Sequence, residues 1–412
     1  MMLTRRSVTV GSAALATTAL ALGPDALAAP RRRARSAEGG QVVLDWERIA
    51  IRTVYADQTP ATPTPIGVPI LGFTSLAVHH AAQRSAHLGS SSESAAVARA
   101  AHDVLAHYFQ GSTGKLDSDL ATTFAAIGPS HARTKGSRIG AEAARDVIRS
   151  REGDGWFDTA IHYSKQAGPG VWQPSGTNTD MLAAWLGSLR PLFVAPEPQS
   201  GPYSLASAAW AADYEEVRRV GSSTSSPADR TSDQTATALF YNTSNAGVMM
   251  ADAVVRYLES HPQGILATAR IFAMMHGAAT DSVICAWQQK RDVGFWRPFQ
   301  AISGQYDDGN AGTTPQPGWA PLIPNPNYSD YLSGHGSVTA PQVEVVRCIL
   351  GEATALEVRS TTAARTYAHL SEIEFDALHA RIWGGLHYRK AMTDTYDMGH
   401  RTASRVLAAF GA

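Results

Sequence analysis

The sequence predicts an all-α fold of helical bundles, arranged as two four-helix-bundle-like halves around one site. Apolar residues recur at spacings of three and four along much of the chain, as in residues 97–108. This spacing places them on one face of a helix. Alternating polar and apolar residues, which would indicate half-buried strands, are scarce. Helices with such faces bury them by packing together into bundles.

Helical patterns and loop-forming residues together set the predicted order of elements. We predict helices within residues 71–110, 117–127, 141–151, 214–220, 234–241, 246–259, 265–289, 337–351, 371–380 and 388–409. Loops are predicted at residues 165–208, 221–229 and 303–330, where Gly, Pro, Ser or Asn are frequent.

Composition and charge limit the classes of protein to which the chain can belong. Hydrophobic residues make up 44% of the 412 residues and charged residues 17%, which favours a folded chain with a sizeable core. The formal net charge is −1. No basic stripe suited to nucleic acid is therefore expected.

The N-terminus is typical of an export signal. Two arginines, Arg5 and Arg6, precede an apolar run over residues 10–22, and residues 26–28 read Ala-Leu-Ala, as at a cleavage site. The run is shorter than the about 20 residues that a spanning helix needs. We therefore predict a twin-arginine signal, secretion, and a mature chain that needs no membrane.

The patterns above give a division of the chain into four parts. Residues 1–28 are the predicted twin-arginine signal peptide, and residues 29–42 are a polar linker. Residues 43–235 form a predicted N-terminal helical region, and residues 236–412 form a C-terminal helical region that carries the functional site.

The chain has two cysteines, Cys285 and Cys348, both in apolar segments that are predicted to be helical. Two small buried residues are the favoured interpretation, ahead of a metal-binding pair. Secretion would permit a disulfide, but sequence alone cannot bring the two sulfur atoms within reach, so their pairing stays open.

The first of three informative stretches near the C-terminus reads KRDVGFWRP and runs from Lys290 to Pro298. Lys290 and Arg297 are seven residues apart, nearly two helical turns, so they can share one face of a helix. Pro298 disfavours helical geometry in the residue before it, which places Arg297 near a helix end. By itself, this stretch is explained as well by two surface cations.

The second stretch is Ser333-Gly334-His335, just before a predicted helix. A Ser-Gly turn at a helix N-terminus presents free N–H groups and the positive end of the helix dipole to an anion. His335 is placed where it could exchange a proton with a bound group. Ordinary helix capping by Ser333 explains the same residues.

The third stretch contains Arg381 and His387, separated by five residues that include Gly384-Gly385. Residues six apart on an unbroken helix do not share a face, but two glycines permit a break or a close approach to a ligand. His387 would then lie at the start of the last helix. A surface arginine and a structural histidine are the alternative.

Taken together, these groups suit a tetrahedral oxyanion such as phosphate or vanadate. One lysine and two arginines can neutralise oxygen atoms, and Arg offers a planar fork for two of them. A serine hydroxyl and a glycine N–H can donate hydrogen bonds. One histidine can bond the central atom while the other moves protons.

The order Lys-x6-Arg-Pro, Ser-Gly-His and Arg-x5-His resembles the signature shared by vanadium-dependent haloperoxidases and type 2 phosphatidic-acid phosphatases. The chain departs from that signature at Leu332, where proline is usual, and at Ala380, where serine is frequent. Neither departure removes a group expected to contact the ligand. A looser resemblance to secreted bacterial haloperoxidase-like proteins extends over roughly residues 70–411.

The resemblance implies a role for each motif residue. Vanadate, or phosphate in the same site, would be bound by Lys290, Arg297, Ser333, Gly334, Arg381 and His387. His387 would be the one residue that bonds the metal, and the catalytic residues would be Lys290, His335 and His387. The implied reactants are hydrogen peroxide, a halide and a small organic substrate, with a hypohalous species as the halogenating product.

The sequence favours the haloperoxidase branch without excluding the phosphatase branch. Phe295-Trp296 resembles the haloperoxidase form, and the aspartate that phosphatases carry four residues after the last histidine is replaced by Ala391. In an acid phosphatase, His387 would become a nucleophile and His335 would protonate the leaving group. An oxyanion-binding protein without turnover is less favoured, because both histidines are present. The halide, the organic substrate and the oligomeric state stay open, with a homodimer as one option.

Overall fold

Helices provide most of the regular structure in residues 39–177 and 179–412, the part of the chain described by the computed structural model. The all-α prediction is confirmed for these residues. The signal predicted for residues 1–28 and the linker up to residue 38 lie outside the described residues. The first described helix begins at Gln41, and the predicted linker boundary at residue 42 stays a prediction.

The helices are numbered in chain order, and their bounds are α1 Gln41–Ile51, α2 Thr64–Leu88, α3 Glu93–Tyr108, α4 Thr113–Ile127, α5 His131–Ser150, α6 Ala208–Val220, α7 Ser232–Asn242, α8 Ala246–Ser260, α9 Ile265–Asp292, α10 Pro298–Ile302, α11 Gly336–Leu350, α12 Leu370–Trp383 and α13 Arg389–Ala409. One antiparallel hairpin, β1 Leu356–Arg359 and β2 Ala364–Tyr367, pairs Leu356 with Tyr367.

Helix α9 lies at the centre of the packing. It contacts α2 on one side, where α2, α3 and α5 pack together, and it contacts α11 and α13 on the other. Every residue of α9 from Ile271 to Trp287 is buried, as expected for a helix that is covered all round. Helix α9 therefore belongs to two bundles, one with α2, α3 and α5 and one with α11 and α13. Lys290 lies in its last turn.

A carboxylate inside α9 fixes the loop that runs beside it. Asp281 is 1% exposed. Its two oxygens accept the backbone N–H groups of Leu192 at 2.6 Å and of Phe193 and Val194 at 2.8 Å each. Three backbone donors that would otherwise be buried without partners are thereby satisfied.

The structure corrects several sequence expectations. The segment 71–110 forms two helices, because the chain turns after α2 at Gly89, whose φ is 62°, a conformation that ends helices. The hairpin was not predicted, since strands of four residues are too short to show a clear alternation. Cys285 is buried as expected, but Cys348 is exposed, and both thiols are free.

The predicted division at residue 235 stays a prediction, since contacts group the described residues from 39 onward into one unit. In residues 39–177 and 179–412, no helix combines the length and apolar character needed to cross a membrane.

Candidate oxyanion site

The three sequence stretches come together around the C-terminal end of α9. Lys290 lies in the last turn of α9, Arg297 caps the N-terminus of α10, and His335 caps that of α11. Arg381 lies in the last turn of α12, and His387 lies just before α13. All of the predicted site residues are therefore on helix ends or on the loops between helices.

The chain between the first two cations is not helical, so the expectation that they share one helix face is wrong. Helix α9 ends at Asp292, and Gly294 takes a positive φ of 63°. Arg297 is extended, with φ −80° and ψ 157°, which is the geometry that Pro298 favours in its predecessor. The side chains of Lys290 and Arg297 converge because the backbone turns between them.

Lys290 is completely buried and is held by backbone oxygens. Its Nζ donates to the carbonyl oxygens of Ser329 at 2.8 Å and Asp330 at 3.0 Å, and it lies 4.7 Å from the centre of the Tyr328 ring. Burial and the nearby Arg297 lower the pKa of Lys290 well below its usual value. One of its three N–H groups is left for a ligand.

Arg297 is also completely buried. Its Nε donates to the carbonyl of Tyr328 at 2.8 Å, and its Nη1 donates to the carbonyl of Leu386 at 2.7 Å. Nη1 also lies 3.1 Å from Nε2 of His387. Among the described residues, its Nη2 has no hydrogen-bond partner. Backbone carbonyls therefore hold Nε and Nη1, whereas Nη2 is left for a ligand.

Arg381 is 2% exposed, and its Nε and Nη1 have no hydrogen-bond partner among the described residues. Burial lowers its pKa to about 10. Each buried donor without a partner costs about 1–3 kcal/mol, and a charged one costs more. With Nη2 of Arg297, the two motif arginines carry three buried nitrogens that have no hydrogen-bond partner among the described residues. This donor set fits an oxyanion with several acceptor oxygens.

His387 is paired with a carboxylate that sequence reasoning missed. Its Nδ1 lies 2.8 Å from Oδ1 of Asp330, and both side chains are 1% exposed. A proton on Nδ1, donated to Asp330, makes Nε2 the acceptor nitrogen of the ring, and Nη1 of Arg297 lies against it at 3.1 Å. The two residues are 57 positions apart, and no spacing rule links them.

Burial shifts the pKa values of His387 and Asp330 in the directions that favour the uncharged form of each residue. Burial and the charges of Arg297, Lys290 and Arg381 hold the pKa of His387 well below its usual value. Burial raises the pKa of Asp330 to about 7, against the opposing effect of Arg297 and Lys290. His387 is therefore a neutral imidazole at neutral pH, the form that binds a metal.

The Ser-Gly-His turn makes the capping interaction that the sequence allowed, and its role in binding an anion stays a prediction. Ser333 Oγ accepts the Gly336 N–H at 3.2 Å, which is a helix cap, and the Ser333 N–H donates to Oγ1 of Thr395 at 2.8 Å. The capping interaction leaves the Ser333 hydroxyl proton available to an anion. A β-carbon at Gly334 would lie 3.0 Å from the Trp287 ring, so a side chain there would crowd the pocket.

His335 is half-buried and borders two cavities. The outer cavity has a volume of about 220 Å³ and is lined in part by Trp287, Tyr328 and Gly334. Burial and the charges of Arg381, Arg297 and Lys290 hold the pKa of His335 well below its usual value. A neutral histidine beside an open cavity can accept a proton.

Comparisons with known proteins agree with this architecture. Residues 270–411 match the family model described as the VCPO second helical-bundle domain. No curated protein matches the sequence.

Solved structures share the fold at low sequence identity. The first bacterial vanadium-dependent iodoperoxidase superimposes with a TM-score of 0.74 at 16% identity, over 92% of this chain and 98% of its own. An apo bacterial vanadium-dependent chloroperoxidase has a TM-score of 0.62 at 14% identity, over 83% of this chain and 92% of its own. A holo bacterial chloroperoxidase has a TM-score of 0.58 at 14% identity, over 89% of each chain.

The matched segment contains all three motifs and the cations, histidines and Asp330 described above. The resemblance predicted from the motifs is thus confirmed, because residues 270–411 match the model of the VCPO second helical-bundle domain and the similar solved structures are bacterial vanadium-dependent haloperoxidases that share the fold.

Proposed function

We propose that this protein is a vanadate-dependent haloperoxidase, which uses hydrogen peroxide to oxidise a halide to a hypohalous species that halogenates small organic substrates. The observation that carries the proposal is the set of three unpartnered guanidinium nitrogens on Arg297 and Arg381, close to a neutral His387. Fixed positive charge in a buried site is suited to an oxyanion cofactor.

In this proposal, each residue has a role that follows from its contacts. Vanadate would be held by Lys290, Arg297, Ser333, Gly334, Arg381 and His387, and His387 would be the residue that bonds the metal, through Nε2. When bound, vanadate would supply a Lewis acid for the activation of hydrogen peroxide, without a change in oxidation state.

The remaining roles belong to three residues around the oxyanion: an acid–base group, a hydrogen-bond donor and a positioning residue. His335 is the acid–base group, because it is neutral and borders the outer cavity. Lys290 donates to two carbonyl oxygens, and a protonated ammonium has a third N–H group that could serve the bound oxyanion. Asp330 is a positioning residue that keeps the Nδ1 of His387 protonated.

One observation favours the alternative, an acid phosphatase that hydrolyses phosphate monoesters. The absence of an aspartate four residues after His387 was an argument against that reaction. Asp330 supplies a carboxylate to the same ring from another part of the chain, so a nucleophilic histidine would be oriented equally well. Whether the protein acts as a haloperoxidase or as a phosphatase then depends on whether its site binds vanadate or a phosphate ester.

Two assays on the purified mature protein distinguish these reactions. We expect vanadate-stimulated halogenation of a dione that depends on peroxide and halide, with negligible phosphate release from an aryl phosphate. Strong phosphatase turnover that vanadate inhibits would overturn the proposal.

His387→Ala should abolish either activity, because it removes the group on which both mechanisms depend, and full activity in that variant would refute the site assignment.

Asp330→Asn should weaken vanadate binding by about 10- to 100-fold, the usual effect of losing a partner that orients a metal-bound histidine. Titration calorimetry with vanadate measures the affinity, and the unfolding midpoint checks that the fold persists. The matched control is Asp213→Asn, another buried carboxylate, which accepts the Lys390 N–H at 2.9 Å. Equal losses in both variants, or none in Asp330→Asn, would contradict the positioning role.

The pKa of His335 should rise when the site is filled. Burial and three cations lower it in the free protein, and a bound oxyanion offsets that positive charge and favours the protonated ring. NMR titration of the His335 ring, assigned with His335→Gln, should show a higher pKa in saturating phosphate than in the free protein. A pKa that stays constant or falls would argue against an oxyanion beside this histidine.

Secretion is part of the proposal and depends on residues 1–28 alone. Cleavage after Ala28 would give an exported protein that begins at Ala29, which N-terminal sequencing can check. An intact N-terminus, or retention in the cytoplasm, would refute it.

A further inference from the structure

Another cavity, which we call the aromatic cavity, lies between the segment before α2 and the loop after α5. It has a volume of about 250 Å³, and its lining includes Ile66, Ile70, Tyr108, Phe109, Trp156 and Phe157. None of the described residues that line it carries a charged side chain. An apolar cavity of about 150 Å³ takes one benzene ring, so this one has room for a ring with substituents.

The aromatic walls are held in place by contacts within the protein. The Trp156 ring lies 5.4 Å from the Tyr108 ring and 4.9 Å from the Trp185 ring. The backbone N–H of Trp156 donates to Oδ1 of Asp154 at 3.0 Å, and Oδ2 of Asp154 accepts from Nε of Arg151 at 2.6 Å. The cavity is therefore formed in the absence of a ligand, which lowers the cost of binding one.

Phe157 forms the exposed edge of the aromatic cavity. Its side chain is 51% exposed, and its ring lies 4.8 Å from the Trp185 ring at an angle of 31°. Its φ is 52°, a conformation that is unfavourable for a bulky residue and persists only where the surrounding structure enforces it. A large apolar side chain that is kept in contact with water at this cost indicates a surface that binds a ligand.

The aromatic cavity adjoins the outer cavity beside His335. Pro63, the residue before α2, lines both of them. Among the described residues, neither cavity is lined by a carboxylate, a lysine or an arginine. A molecule in the aromatic cavity would therefore be separated by Pro63 from the cavity in which His335 is exposed.

We propose that the aromatic cavity binds the organic substrate, a neutral aromatic molecule, before that substrate enters the outer cavity. Contact with Trp156 and Phe157 favours a ring, because aromatic pairs gain free energy beyond the area that they bury. A carboxylate or a phosphate is disfavoured, since its charge would be removed from water without a partner. The inference rests on the proposed haloperoxidase function, because that function supplies the reaction for which the ring is a substrate.

Anomalous diffraction locates the ligand without turnover. Crystals of the vanadate-free protein soaked in 4-bromophenol, which is uncharged at neutral pH, should show a bromine peak in van der Waals contact with Trp156 or Phe157. The anion 4-bromobenzoate, which is of similar size, should give no peak there. A peak in the outer cavity alone, or equal peaks from both probes, would overturn the inference.

A matched pair of phenylalanine variants tests the same site in solution. Phe157→Ala removes one ring, so the affinity of the vanadate-free protein for 4-bromophenol, measured by calorimetry, should fall about 2- to 10-fold, as expected for one aromatic contact. Phe375→Ala is the control, since Phe375 is 56% exposed but lies on α12, outside the cavity. Equal affinities in both variants would contradict the inference. So would a homodimer that Phe157→Ala dissociates, because a second copy would then cover the cavity.

The inference and the proposed function fail in different ways. In halogenation of a phenol, Phe157→Ala should raise the KM for the phenol and leave the KM for the halide unchanged. Halogenation with an unchanged KM for the phenol removes the aromatic site and leaves the proposed function intact. Binding of 4-bromophenol in the aromatic cavity of a protein that does not halogenate overturns the proposed function and, with it, the role of the bound molecule as substrate.

Discussion

The burial of three cations near one carboxylate is the constraint on which the rest of the structure depends. Lys290, Arg297 and Arg381 are all nearly or completely inaccessible, and removing such charges from water costs several kcal/mol for each ion. Asp330 offsets only part of this charge. Backbone carbonyl oxygens provide much of the remaining stabilisation, at Ser329, Asp330, Tyr328 and Leu386.

That requirement explains why the carbonyl oxygens that hold Lys290 and Arg297 come from loops. Carbonyl groups inside a helix already accept hydrogen bonds within it, and only those of its last turn are free. Residues 328–330 supply three of the four oxygens, and the break after α12 supplies the fourth. Gly385 makes the break possible, with a φ of 73°, and a β-carbon there would clash with the Gly221 carbonyl oxygen. The helices hold these loops in place through α9, which packs in both bundles.

Sequence reasoning predicted the helices well where apolar spacing was regular, and the residues that it selected as motifs lie close together in the structure. It failed where geometry depends on contacts between distant parts of the chain. The pairing of His387 with Asp330 is one such case. The direction of Lys290 is another, because its Nζ is held by carbonyl oxygens 39 and 40 residues away.

Unsatisfied donors are informative here because proteins rarely leave buried polar groups without partners. In this protein, three such nitrogens lie on the two arginines of the motifs, where a bound oxyanion would satisfy them.

The most direct test of this account is a crystal structure of the protein with vanadate bound. At present, Nη1 of Arg297 lies 3.1 Å from Nε2 of His387. We predict vanadium density bonded to that Nε2, with oxygens on Nη2 of Arg297 and on Arg381, and with the Asp330–His387 hydrogen bond retained. Vanadate bound elsewhere, with the contact between Arg297 and His387 intact, would contradict the account.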